Sequence, residues 1–334
     1  MKIIIDAMSG DKAPEEIVKG AVMARRELGV DVVLVGRQEV VKACLEAEGC
    51  TDIEVVDARD VITMEDDPST ATRRKKDASM TVALTMLRDG LGDAVVSAGS
   101  TGALLTGATL IVKRINGIRR AALAPVLPNG GKGVVLIDSG ANVDCTPEYL
   151  LQFAYMGSFY ARTMLGLPSP RVGLANVGTE DTKGGALQHE TFQLLKAAGE
   201  AGRINFIGNV EGNGVFSGEV DVIVADGFTG NLMLKTAESM IKFMMGNLKN
   251  VFYKSLKNKL AAAVLKGDLA QMKKTLDVKE VGGTVMLGIS RPVIKAHGSS
   301  DARCILAAAR QAVTCVESGI TDEIKANIEY MKIG

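Results

Sequence analysis

DVIVADGFTGNLMLKTAE, residues 221–238, decides how this chain is read. Residues 221–225 are short, apolar and rich in β-branched side chains, as a buried strand requires. Residues 226–231 carry two glycines and read as a turn, and from Leu232 onward the apolar positions recur at helical spacing. Strand, loop and helix follow one another directly. Glycine lets a backbone approach a ligand closely, and the free N–H groups and positive dipole end of a new helix favour an anion there. Lys235 adds a full charge one turn into the helix. The stretch suits phosphate.

The pattern recurs along the chain. Residues 93–98 lead into Gly99-Ser100-Thr101-Gly102, 133–137 into Asp138-Ser139-Gly140-Ala141-Asn142, 172–177 into a loop at 178–184, and 204–207 into a loop at 208–212. Upstream, residues 1–6 read as a first strand and Pro14-Glu15-Glu16 as a helix start, with Gly29 as its stop. A strand at 30–36, a helix at 40–49 and a strand at 53–56 then give the βαβ alternation of a parallel sheet. The expected fold class is α/β, a three-layer α/β/α arrangement around a mostly parallel sheet. In such a sheet the loops leave at the carboxyl ends of the strands, where ligands bind, so five small polar loops point to one site.

Composition narrows the function. Lysine plus arginine equals aspartate plus glutamate at 39 each, so no global charge calls for nucleic acid, and 4% aromatics without tryptophan supply few stacking platforms. The five cysteines have no C-x-x-C spacing, which fits a reducing cytoplasm. The amino-terminal apolar run is too short for a signal peptide, and residues 94–112, although uncharged, hold too many glycines, serines and threonines for a membrane span.

Three segments break the alternation. Residues 58–76 are long and charged, ending in Arg73-Arg74-Lys75-Lys76, and read as a solvated loop or a cationic rim. A helix from Thr146-Pro147-Glu148 to about Gly166 is apolar on several faces, so it is buried in the chain or covered by a second subunit, which favours a dimer. Residues 239–267 contain six lysines and no carboxylate, with Leu248, Phe252, Leu256, Leu260 and Val264 recurring every four residues. That basic amphipathic pattern is expected as a helical insertion at about 239–275 in a single domain of 1–334, and it reads either as an ordinary core-facing helix with a solvated face or as a surface whose lysines suit an anionic bilayer or an acidic protein.

No nucleophile elbow, reactive cysteine setting or metal-ligand cluster stands out, so neither a covalent acyl-enzyme nor a metal is expected. What remains is donor capacity: Lys183, Lys235, His297, Asn142, Asn176, Asn209 and Asn231, with glycine amides. Such groups suit a reaction whose nucleophile is already anionic and needs placement and charge stabilisation. His297, among Lys295, Gly298, Ser299 and Ser300, belongs to this set, whereas His189 lies in helical sequence and reads as a surface or structural residue.

Asp6-Ala7-Met8-Ser9-Gly10-Asp11, Ser97-Ala98-Gly99-Ser100-Thr101-Gly102-Ala103, Ser139-Gly140-Ala141-Asn142, Asp226-Gly227-Phe228-Thr229-Gly230-Asn231 with Lys235, and His297-Gly298-Ser299-Ser300 together resemble the phosphate acyltransferases of the PlsX type, over nearly the whole chain. The chain departs from the usual family pattern at Ser9, Ser100 and Ser139, and has Asn213-Gly214 where Arg-Asp is common. The resemblance implies an isocitrate/isopropylmalate-dehydrogenase-like fold, a homodimer, and transfer of a long-chain acyl group from acyl carrier protein to inorganic phosphate, without a cofactor. The acyl phosphate formed would serve phospholipid synthesis. Further implied partners are a membrane surface, met through the basic helix at 248–266, and the downstream glycerol-3-phosphate acyltransferase. On this reading Asn231, His297 and Lys183 are catalytic, and Ser100, Thr101, Gly102, Asn142, Asn176, Gly230, Lys235 and Ser299 bind phosphate. The rival readings are an NAD-dependent decarboxylating dehydrogenase, which needs a metal site and substrate arginines, and a non-catalytic binding module.

Overall fold

The computed structural model describes residues 1–276 and 282–332. In chain order its strands are β1 (Lys2–Asp6), β2 (Asp31–Gly36), β3 (Glu54–Asp57), β4 (Ala94–Ser97), β5 (Ala122–Ala124), β6 (Val126–Leu127), β7 (Val134–Ile137), β8 (Arg171–Ala175), β9 (Asn205–Val210), β10 (Val222–Val224), β11 (Thr284–Leu287) and β12 (Val293–Lys295). They form two sheets where the sequence suggested one. The first has the order β3-β2-β1-β4-β12-β11-β5 and the second β6-β7-β10-β8-β9. Pairing is parallel except at β5-β11, β11-β12 and β6-β7. Pro125 stands between β5 and β6, and a residue without an N–H is suited to the point where the chain leaves one ladder for another.

Burial on both faces explains why the strands read as unbroken apolar runs. Ile3 and Ile5 of β1 pack on the side of the helices Glu15–Leu28 and Ala302–Glu317, whereas Ile4 packs with the helix Ser79–Arg88 on the other side. The second sheet repeats the arrangement. Val135 and Ile137 face the helices Pro147–Met164 and Ala186–Glu200, while Val134 and Leu136 face Met233 and Leu234 of the helix Gly227–Tyr253. Helices therefore cover both sides of mostly parallel sheets, as a three-layer α/β/α architecture requires.

The helix Pro147–Met164 is buried almost throughout Leu150–Ala161 within this chain. Its all-round apolar character is thus satisfied without a second subunit. The basic segment is different. The helix begun at Gly227 continues to Tyr253, a new helix, Leu256–Val264, starts at Ser255, whose side chain accepts the Asn258 N–H, and Lys266–Leu276 follows. One continuous stripe becomes helices broken at 254–255, and Leu256, Leu260 and Val264 are all exposed. No helix among the described residues is long and apolar enough to cross a membrane.

Candidate active site

A cavity of about 700 Å³ lies where the carboxyl ends of β4, β7 and β12 meet the helix Gly227–Tyr253. Thr101, Ser139, Gly140, Asn231, Lys235, Lys295, His297 and Ser300 supply polar lining, and Leu123, Pro125, Val126, Leu234, Ile241 and Met245 supply apolar lining. The lining follows the helix from Asn231 to Met245, a rise of roughly 21 Å at about 1.5 Å per residue. The cavity is therefore elongated along that helix.

The local sequence explains how the helix comes so close. Residues 226–231, read as a turn, are mostly helix: Asp226 is the N-cap, its carboxylate accepting the Thr229 N–H at 2.9 Å and the Thr229 hydroxyl at 2.8 Å. Helix then starts at Gly227. A β-carbon at Gly230 would overlap the Asp138 carbonyl oxygen, and one at Gly227 would lie 2.5 Å from the Asn142 oxygen. The two glycines thus let the first helical turn press onto the loop after β7.

That loop is fixed from below by Asp138. Its buried carboxylate accepts N–H groups from Leu123 at 2.9 Å, Ala141 at 3.2 Å and Asn142 at 2.6 Å, and the Asn142 side-chain amide at 3.0 Å. Burial raises the Asp138 pKa against the pull of these donors. Asn142 spends its amide on Asp138 and on the Ala121 carbonyl at 2.8 Å, so it shapes the loop and does not line the cavity. A β-carbon at Gly140 would stand 3.4 Å from the Asn231 side chain, which places Asn231 over Gly140 at the cavity wall.

The opposite wall is the end of β12. The Ser299 N–H approaches His297 Nδ1 at 3.2 Å and the Ser299 hydroxyl lies 2.9 Å from the same nitrogen. A backbone N–H can only donate, so Nδ1 accepts and the proton of a neutral imidazole sits on Nε2. Lys295, next in from this loop, is buried, and its ammonium donates to the Ala296 carbonyl. Burial pushes its pKa down to about 8, assisted by Lys235 and opposed by Asp11 and Asp6. Lys235 is exposed and holds Glu238 at 3.0 Å.

Of the residues expected from sequence, Thr101, Asn231, Lys235 and His297 line the cavity together. Ser299 supports His297, Gly230 supports the helix start, and Ser100 caps the helix Thr101–Gly107 by accepting the Ala103 N–H at 3.5 Å. Gly102 packs beside Pro68. Asn176 and Lys183 lie elsewhere. The Asn176 amide donates to the Lys183 carbonyl at 3.0 Å, Asn209 donates to the Glu180 carbonyl at 2.8 Å, and the Lys183 ammonium stands 3.9 Å from Glu180 in an exposed pair. The reason is topological: β8 and β9 form the outer edge of the second sheet, so their loops join each other and not the cavity. In the sequence Lys295 reads only as a neighbour of His297, although a lysine ending an otherwise apolar strand is a usable signal. Asp138, directly after the apolar strand β7, carries a similar signal.

A family profile described as "Fatty acid synthesis protein" matches residues 1–323. A protein named phosphate acyltransferase from Oceanobacillus iheyensis is 46% identical over 330 residues, covering 98% of each chain. Another of that name from Lysinibacillus sphaericus is 42% identical over 335 residues, covering 100% of each. The chain belongs to the PlsX-type phosphate acyltransferase family. Among solved structures, a phosphotransacetylase from Streptococcus pyogenes aligns with TM-score 0.63 at 18% identity, covering 95% of this chain and 94% of that one. A 4-hydroxythreonine-4-phosphate dehydrogenase from Klebsiella pneumoniae aligns with TM-score 0.54 at 13% identity, covering 94% and 99%. At these identities the likeness is one of fold, and it joins acyl transfer and dehydrogenase chemistry on one architecture.

Proposed function

We propose that this chain transfers a long-chain fatty acyl group from acyl carrier protein to inorganic phosphate, giving acyl phosphate for phospholipid synthesis. The carrying observation is that a single elongated cavity joins Asn231, His297 and two lysines, Lys235 and Lys295, to an apolar lining. Phosphate alone would need neither the length nor the apolar walls.

A phosphate oxygen attacks the thioester carbonyl carbon, and the carbonyl π electrons move onto oxygen. The Nε2–H of His297 and the side-chain amide of Asn231 are the donors for that oxyanion, a contact that is strongest as charge develops. Collapse re-forms the carbonyl and breaks the C–S bond. The carrier leaves as thiolate and takes a proton from solvent. Phosphate is already anionic, so no strong base is required, and proximity supplies much of the acceleration.

The same reading assigns phosphate contacts to Lys235 and Thr101 directly, and to Ser100, Gly102, Asn142, Gly230 and Ser299 through the loops they shape. Lys183 and Asn176, at the outer sheet edge, would join only if their loop moved. Exposed Phe243, Met244, Val251, Leu256 and Leu260, among the lysines of 242–259, support a surface that meets a second copy, the acidic carrier or an anionic membrane. Release at a membrane would deliver a reactive acyl phosphate to a glycerol-3-phosphate acyltransferase.

Incubation with acyl carrier thioester and phosphate, followed by phosphorus NMR with a parallel assay for NADH formation, separates the readings. A new acyl phosphate resonance with no NADH is expected. NADH formation in the parallel assay would favour the dehydrogenase, and binding of carrier without turnover would favour a non-catalytic module.

A further inference from the structure

We propose that Lys295 and Ser300 form the inner anchor for the phosphate, a tetrahedral oxyanion held at the cavity floor by one buried ammonium and one buried hydroxyl. This deepens the acyl-transfer reading and rests on it for the identity of the anion. Both side chains line the cavity, and they are only 9% and 1% exposed. The Ser300 hydroxyl has no hydrogen-bond partner among the described residues. A buried polar group left in that state costs free energy unless something else satisfies it.

Lys295 is in a similar condition. It ends β12 between Ser97 of β4 and Thr284 of β11, and its ammonium has the Ala296 carbonyl as acceptor. Among the described residues no carboxylate lies within ion-pairing distance of it. Asp6, two strands away on β1, is engaged by the Ser97 hydroxyl at 2.6 Å, and Asp11 acts on Lys295 only from beyond ion-pairing distance, as the carboxylate that most favours its charge. A buried cation without a close counter-ion is costly, and a second cation, Lys235, faces the same space. An anion between the two lysines would give Lys295 the counter-ion it lacks and offset the repulsion between the two ammonium groups.

Anion binding should then be tied to the Lys295 proton. In the unliganded chain its pKa is lowered to about 8, so the ammonium is present below that pH and lost above it. A bound dianion favours the charged form, so binding above pH 8 must take up a proton and weaken by up to tenfold per pH unit. The other charged or titratable groups around Lys295 are Asp6 and Asp11 from β1 and its loop, and those lining the cavity are Lys235, Glu238 and Lys242 from the long helix and His297, Asp301 and Cys304 beyond β12.

The test is the Kd of the full-length chain for phosphate and for sulfate, whose charge does not change in this range, read from the concentration dependence of the thermal midpoint between pH 6.5 and 9.5. With sulfate, wild type should bind evenly up to about pH 8 and then weaken. Lys295→Arg should bind without that inflection, because arginine stays charged. Cys304→Ser should keep it. Lys295→Met should weaken both anions roughly ten- to a hundredfold, and Ser300→Ala by a few-fold. Wild-type affinity in Lys295→Met, or an inflection retained in Lys295→Arg, would overturn the anchor. If acyl transfer is absent but this anion pattern holds, the proposed reaction falls and the anchor stands. If acyl transfer proceeds in Lys295→Met with an unchanged KM for phosphate, the anchor alone falls.

Discussion

Gly230→Ala tests the contact on which the site is built. In an ordinary helix the change would stabilise by about 1 kcal/mol, since alanine is the better helix former. Here the new β-carbon would overlap the Asp138 carbonyl oxygen, a backbone atom held by a carboxylate that itself accepts four hydrogen bonds. Overpacking of this kind costs about 1–3 kcal/mol, and a fixed backbone partner puts it at the upper end, so the net loss is on the order of 2 kcal/mol. The same helix supplies the control. Gly246 has nothing within 4 Å of its added β-carbon, so Gly246→Ala should stabilise by about 0.5–1 kcal/mol. Urea unfolding of both variants, with an unchanged m-value, reads the difference, expected at roughly 3 kcal/mol. Because the helix start carries Asn231, Gly230→Ala should also lose acyl transfer while Gly246→Ala keeps it. Equal stability of the two variants would refute the close seating of helix on loop.

Asn231→Ala and His297→Ala should each lower kcat/KM by roughly a hundred- to a thousandfold, the equivalent of about 2.7–4 kcal/mol of oxyanion stabilisation; full activity in both at saturating phosphate would remove them from the mechanism. Burial alone would raise the Asp221 pKa, but the Arg171 side chain, at 2.9 Å, and the Arg171 N–H, at 2.8 Å, hold it below the usual carboxylate range. The stability it adds is therefore present above about pH 4 and lost as pH falls through the lowered folded value. Asp221→Asn should cost about 1.5 kcal/mol at pH 7, with the gap to wild type closing in acid, as followed by thermal midpoint against pH. Lys254→Glu with Lys257→Glu should weaken binding to anionic vesicles or to acyl carrier protein, and unchanged binding to both would leave that surface a plain solvated helix face.

Much of this architecture was legible because strands buried on both faces leave continuous apolar runs, as at Ile3, Ile4 and Ile5. Helix ends were readable where chemistry is local: Glu15 and Glu16 open one helix, and Gly29, in the left-handed region, closes it. The split into two sheets was not readable, because residue periodicity reports burial and says nothing of which neighbour a strand chooses. That choice decided the site. The loops after β8 and β9 have the same small polar composition as those after β4 and β7, yet their strands sit at an outer edge, so Asn176 and Lys183 are away from the cavity. Glycines 227 and 230 looked like a turn because glycine marks turns and close helix contacts alike, and only the Asp138 and Asn142 backbones distinguish the two. Lys295 reads in the sequence as no more than a neighbour of His297, because a lysine's burial depends on strands that are distant in sequence.

The most direct test of the central claim uses phosphate labelled with oxygen-18 at all four positions, together with acyl carrier thioester and the full-length chain. Direct attack by phosphate predicts an acyl phosphate whose phosphorus NMR resonance carries the isotope shift of four heavy oxygens, the bridging one included, with carrier thiol released in equal amount. Release of thiol with free fatty acid, and phosphate left unacylated, would show water to be the nucleophile and would contradict the account.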